Sequence, residues 1–163
     1  HVTGIDFTDQ MLLKAEENRK KLGYGNIDFV KGDIEEMPLP ENIFDVVLSN
    51  CVLNLVPDKV KAFSEIMRVL KPGGHFCVSD IVLRGELSEE MRSDAELYAG
   101  CVSGASQADE YFRIIRETGF VEITVHREKE ILLPEEILKN HSRDEMAGIF
   151  SITVSATRPL TGK

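Results

Sequence analysis

Two apolar runs, IFDVVLSN (Ile43–Asn50) and HFCVSDIV (His75–Val82), flank an amphipathic stretch that stops at KPGG. No other feature constrains the fold as much. Each run is short and almost continuously apolar, as a strand is when both its faces are covered, and such strands belong to parallel sheets. Between them, Asp58 to Leu70 places Val60, Phe63, Ile66, Met67 and Leu70 on one side at helical spacing. KPGG then ends the helix, because proline and glycine do not continue one. A strand–helix–strand unit of this kind calls for a layered α/β sheet around it.

The rest of the chain repeats the alternation. HVTGID (His1–Asp6) reads as a strand, and TDQMLLKAEENRKKLG as a helix with Thr8 or Asp9 at its N-cap and Gly23 at its C-cap. Met11, Leu12, Ala15 and Leu22 share one face of that helix. NIDFVKGD (Asn26–Asp33) is a second strand, and EEMPLPEN is a proline-bearing loop. LSEEMRSDAELYAGCVSGA is helical with small-residue interruptions, and ASQADEYFRIIRETGF is a further helix ending at Gly119. VEITVHREKE is a strand, LPEEILKNH a short helix, and GIFSITVSATRP (Gly148–Pro159) a long alternating strand. The order predicts a doubly wound α/β sheet, with its last two strands forming an antiparallel edge.

Composition narrows the function classes. With 163 residues, 42% of them hydrophobic, the chain suits one domain with a sizeable core. A net charge of −9 opposes the phosphate backbone, so no nucleic-acid partner is expected. No apolar run approaches the roughly 20 residues of a membrane span, and no signal peptide is recognisable, so no membrane partner is expected. Cys51, Cys77 and Cys101 are odd in number and form no CxxC pair, which points to a reducing, cytoplasmic setting.

Ligands of open α/β sheets bind beyond the carboxyl ends of the strands. Those ends present Asp6, Asp33, Asn50 with Cys51, and Ser79 with Asp80. Asp6 suits an acceptor for ribose hydroxyls, or equally a helix cap. Asp33 suits an adenine amino group with Ile34 packed on the base, or else a turn cap before the proline-bearing loop. Cys51 has three readings: core filler, nucleophile or soft ligand. No histidine stands in a recognisable Cys/His arrangement, so a nucleophile lacks its base. A soft ligand needs a partner thiolate, and Cys101 in YAGCVSGA, between Gly100 and Gly104, is the candidate. Cys77 alternates within an apolar strand and reads as core. His75, His126 and His141 read as solvated or locally satisfied side chains.

GIDFTDQML, GDIEEMPLP, FDVVLSNCVLNLVPDK, RVLKPGGHFCVSDIV, GCVSGA with EYF after it, and the SITVSATRP ending together resemble the arsenite methyltransferases. These belong to the class I S-adenosylmethionine-dependent methyltransferases. The DFT…ML, GD and RVLKPGG parts of these segments are shared broadly by small-molecule methyltransferases and specify only the class. SNCVLNLVPDK and GCVSGA are more specific, because the family's arsenic-binding cysteines lie in them. The resemblance implies a Rossmann-like sheet and S-adenosylmethionine as cofactor. It implies that Asp6 binds the ribose with Phe7 and Met11 beside the cofactor, that Asp33 and Ile34 hold the adenine, and that Asn50 lies near the methionine part. Cys51 and Cys101 become the catalytic thiolates that hold trivalent arsenic, and a dithiol reductant such as thioredoxin or glutathione sustains turnover.

The resemblance also implies that residues 1–163 are a partial catalytic domain. The family's first strand and glycine-rich loop would precede His1, and an upstream cysteine of many members would too. The expected consequence is a gap in the sheet, filled by strand exchange in a homodimer or by direct pairing of the flanking strands. A methyltransferase for quinone-type carbon acceptors and an inactive oligomerising or arsenic-binding fragment are the alternative readings. No GxGxxG supports a nicotinamide dinucleotide module.

Overall fold

A computed structural model describes residues 1–86, 102, 104–132 and 148–160. The expected helices over LSEEMRSDAELYAGC and LPEEILKNH, together with Cys101 and His141, lie outside these residues. The elements are β1 (Val2–Asp6), α1 (Asp9–Leu22), β2 (Ile27–Lys31), β3 (Phe44–Asn50), α2 (Lys59–Val69), β4 (Leu70–Arg84), α3 (Ala108–Glu117), β5 (Val121–Glu130) and β6 (Gly148–Thr157).

β1 and β2 form a parallel pair in register from Val2 opposite Ile27 to Asp6 opposite Lys31. α1 connects them, with Thr8 at its N-cap and Gly23 at its C-cap, where φ is 72°. The left-handed residue lets its own N–H turn back to Arg19 O and Lys20 O, as helix ends require. None of α1's side chains is fully buried. Leu12 and Ala15 are half-buried, while Met11 and Leu22 of the expected inward face are exposed. A two-stranded ribbon is too narrow to cover a whole helical stripe.

The other four strands form a sheet in the order β3-β4-β6-β5. β3 pairs parallel with β4, and β6 runs antiparallel between β4 and β5. Three of the four strands therefore share a direction, and β6, antiparallel to both its neighbours, joins β5 to the sheet as its antiparallel edge. β1 and β3 belong to separate sheets, so direct pairing of the two strands is not what forms.

α2 and α3 cover one face of this sheet. Phe63 lies at the middle of an aromatic group, with ring centroids 5.5 Å from Phe76, 5.6 Å from Tyr111 and 6.5 Å from Phe120. α2 buries Ala62, Phe63, Ile66 and Val69. Val60, expected inward, is 53% exposed because it sits about 200° around the helix from Ala62. Arg158 closes the far end of α2: its guanidinium donates to Met67 O at 2.8 Å, and its backbone pairs with Gly73 and Gly74 of KPGG.

Two further expectations about burial do not hold. β3 is covered on one face only, and Leu48 on the other is 76% exposed. It is the edge strand of its sheet, and only the face carrying Val47 packs against the core under α2. Cys77 is half-buried rather than core. Alternation along β4 buries Phe76 and Val78, which puts Cys77 on the opposite face, level with Leu48 and Ser155.

Candidate active site

The carboxyl ends of β1 and β2 form one rim. Gly32 N–H donates to Asp6 O at 3.0 Å, which ties the GD turn directly to the end of β1. A Cβ on Gly32 would stand 2.4 Å from Pro38 Cδ, so only glycine fits there. Asp6 Oδ1 accepts the Thr8 N–H at 2.7 Å and also the Thr8 hydroxyl. These two bonds, the hydroxyl's first, hold the Asp6 carboxyl below its ordinary value, so it is an anion at neutral pH. Asp33 Oδ1 likewise accepts Glu35 N–H at 2.9 Å, closing the turn before the proline-bearing loop. Both acids thus perform the local capping that competed with their ligand roles, each through a single oxygen. Phe7 is 73% exposed and Met11 is exposed beside the same rim, while Ile34 packs against the core. Acceptors next to uncovered apolar side chains suit a nucleoside.

Side chains that sequence reasoning passed over bind this rim to the rest of the molecule. Glu35 Oε1 accepts Asp58 N–H at 2.9 Å, at the N-cap of α2. Glu65 Oε2 accepts Met37 N–H at 2.7 Å, and the Arg68 guanidinium donates to Met37 O and Leu39 O at 2.9 and 2.7 Å. Arg68 also pairs with Glu65, and that bond is the main cause lowering the Glu65 carboxyl. Their sequence signal is only that of ordinary charged positions on an amphipathic helix.

Asn50 and Cys51 follow β3. Asn50 is exposed opposite Ser79, and Cys51 is half-buried with its N–H on Ser79 O at 2.8 Å. Cys51 has φ 54°, a left-handed conformation that costs a non-glycine residue roughly 1 kcal/mol. Strain of this kind concentrates at functional positions. Leu53 and Asn54 just beyond it are completely buried.

Cys101 lies outside the described residues, but Val102 and Gly104 do not. Val102 is buried, and Ala105 N–H closes a turn on Val102 O at 3.0 Å. A Cβ on Gly104 would fall 2.3 Å from Asn54 O and 3.0 Å from Leu55 Cα. The turn after Cys101 therefore lies directly on the loop that starts at Cys51. The close approach expected at Gly104 is real, and backbone rather than ligand meets it.

Asp80, expected at a strand end, sits inside β4, which continues to Arg84. It is 1% exposed, and its Oδ2 accepts the Tyr111 hydroxyl at 2.6 Å. Burial raises the Asp80 carboxyl to about 6, against the pull of that hydroxyl, the Lys59 ammonium and the Asn54 and Val52 amides. An acid inside an apolar strand is itself a sequence signal for a buried pair. Among the described residues no three metal-ligating side chains come together, and no helix is long and apolar enough to cross a membrane.

Residues 1–119 match the family model described as a methyltransferase domain. The chain belongs to that family. Over 161 residues it is 34% identical to an arsenite methyltransferase of Halobacterium salinarum, an alignment covering 98% of this chain and 40% of the relative. It is 33% identical to the crystal structure of an arsenic(III) S-adenosylmethionine methyltransferase from Chlamydomonas reinhardtii, with a TM-score of 0.78 over 96% of this chain and 55% of that one. A demethylmenaquinone methyltransferase of Listeria welshimeri is 40% identical over 80 residues, covering 49% of this chain and 34% of the relative. The methyltransferase chain thus spans about two fifths of the haloarchaeal relative's length. Class I architecture and S-adenosylmethionine as the family's methyl donor agree with the open sheet and its acidic rim.

Proposed function

We propose that this methyltransferase domain methylates trivalent arsenic, held between the thiolates of Cys51 and Cys101. The observation that carries the reading is the Cys51 loop. A strained cysteine starts it, and the turn that follows Cys101 lies directly against it. The 34% identity to an arsenite methyltransferase runs across both segments.

Trivalent arsenic is soft, and thiolates suit it better than oxygen or nitrogen ligands. Two cysteine thiols form two As–S bonds as two hydroxyls of arsenite leave as water, taking up the thiol protons. The thiolates leave the arsenic lone pair free, so no general base is required, and the contribution of the chain is positioning. At the other rim, Asp6 and Asp33 each bond their local turns through Oδ1 and offer Oδ2 to ribose and adenine polar groups, with Phe7 and Met11 beside the cofactor and Ile34 at the adenine. Asn50 is assigned to the methionine part of the cofactor. S-adenosylmethionine, when bound there, supplies an electrophilic methyl group on sulfonium.

Under this reading the substrate is a small trivalent arsenical, a dithiol such as thioredoxin or glutathione supplies reducing equivalents, and the setting is cytoplasmic detoxification. The β1 and β3 edges offer strands for a homodimer. A quinone-type carbon acceptor is the second reading, favoured by the Listeria relative. Cys51→Ser and Cys101→Ser separate the two. The arsenic reading expects each to abolish methylated arsenical product while S-adenosylmethionine affinity holds. Unchanged arsenic methylation in both variants overturns it.

A further inference from the structure

The proline-bearing loop after β2 is held from two sides. On the side of α2, Met37 is bound through both its backbone groups: its N–H donates to Glu65 Oε2 at 2.7 Å, and its carbonyl accepts from Arg68 Nη2 at 2.9 Å. Arg68 Nη1 donates to Leu39 O at 2.7 Å, so one guanidinium spans Pro38. The Arg68 Nε and Nη2 also donate to the two Glu65 oxygens, each at 2.7 Å, which fixes the plane of the fork. Farther along, the N–H groups of Asn42 and Ile43 donate to Arg68 O and Val69 O, each at 3.0 Å. On the other side, the Pro38 ring lies over Gly32, where a Cβ would stand 2.4 Å from Pro38 Cδ. Gly32 N–H is bonded to Asp6 O, and the next residue is Asp33. Arg68 and Glu65 therefore fix a segment whose proline rests on the residue that joins the two acids of the rim.

We propose that Arg68 and Glu65 are positioning residues for the cofactor, which set Asp33 against Asp6 so that one carboxylate meets the adenine amino group while the other meets the ribose. This rests on the placement of the adenosine end at Asp6 and Asp33 given above. Both residues act through the Met37 and Leu39 backbone and the Pro38 ring rather than on the cofactor itself. The side chains of Glu65 and Arg68 are only 18% and 33% exposed, and enclosing charges to that degree costs hydration that an apolar contact would not. What the fork adds is direction, since a planar guanidinium fixes two carbonyls and a carboxylate at once where a lysine ammonium is a single point. The consequence is selection of the base. The adenine 6-amino group donates to Asp33, whereas the 6-oxo group of hypoxanthine presents an acceptor to it. A site built to bond one group rejects the other only while its own polar atom is held in place.

The test measures, by calorimetry on the full chain, the affinities for S-adenosylhomocysteine and for its deaminated analogue S-inosylhomocysteine. Wild type, Arg68→Met, Arg68→Lys and Asp33→Ala are compared. Wild type should prefer the adenine form by about tenfold or more, the worth of a hydrogen bond to a charged group. Arg68→Met should lose most of that preference and Arg68→Lys part of it. Arg68→Lys keeps the positive charge beside Glu65, and it carries the test if Arg68→Met does not fold. A merely structural role would weaken both analogues by the same factor and leave the preference untouched. A wild-type preference in the folded Arg68 variants therefore overturns the proposal, whether or not overall affinity falls. Asp33→Ala separates this failure from failure of the site itself, because it should abolish the preference outright. If Asp33→Ala keeps the preference, or if wild type has none, the adenine placement fails and the proposal falls with it.

Discussion

The Tyr111 hydroxyl sits 2.6 Å from Asp80 Oδ2, joining α3 to β4 in a place where Asp80 is almost wholly shut off from solvent. The hydroxyl's own ionisation is pushed well above its ordinary value by burial and by the adjacent carboxylate, so it stays a donor at neutral pH. Asp80, by contrast, ionises near 6 rather than 3.8.

That difference has a pH signature. Between 3.8 and about 6 the unfolded chain is ionised at this position while the folded chain still holds its proton. The unfolded state then binds fewer protons, so stability falls as pH rises through this window and levels off above it. The whole loss is about 3 kcal/mol. Urea unfolding of wild type and Asp80→Asn from about pH 4.5 to about pH 7.5 should show the wild type losing stability relative to the variant. Parallel curves would contradict the burial of a raised carboxyl.

Cys51 is held at φ 54° in a conformation that glycine adopts freely. Cys51→Gly should therefore stabilise the fold by up to about 1 kcal/mol once the lost side-chain contacts are set against it. The same variant should lose trivalent arsenic binding. A less stable Cys51→Gly would mean that the strain is not being relieved.

Gly104 leaves no room for a side chain against the Asn54 carbonyl. Gly104→Ala must push the two segments apart, at about 1–3 kcal/mol as overpacking does. Calorimetry should read that loss, and arsenical affinity should drop more than S-adenosylmethionine affinity. Equal drops would place the damage in the fold as a whole.

Phe63 touches Phe76, Tyr111 and Phe120 at the centre of the core. Phe63→Ala should cost about 3–5 kcal/mol, the usual price of deleting a buried ring. A loss under about 1 kcal/mol in denaturant unfolding would show that the core lies elsewhere.

The elements were largely legible in the sequence because their signals are local. Thr8 and Gly23 bound α1, and KPGG marks where α2 stops. What could not be read is which faces meet. Leu48 and Cys77 look like core residues in an apolar run, yet both fall on the face of the sheet away from α2, which depends on strand order. Asp6 and Asp33 were found at the rim because acids at strand ends are a positional signal. Glu35, Glu65 and Arg68 were not, because their partners lie more than twenty residues away along the chain, apart from the Glu65–Arg68 pair. From sequence Asp80 reads as a strand end, and only the ten-residue pairing of β4 with β6 through Arg84 shows it to be interior.

The central claim is that Cys51 and Cys101 hold arsenic together. X-ray absorption at the arsenic edge reads this most directly, on the full chain loaded with one equivalent of arsenite and no added thiol. The account predicts two As–S bonds in wild type, falling to one in Cys51→Ser and in Cys101→Ser. Arsenic coordinated by oxygen alone in wild type, or sulfur coordination that survives both substitutions, would contradict it.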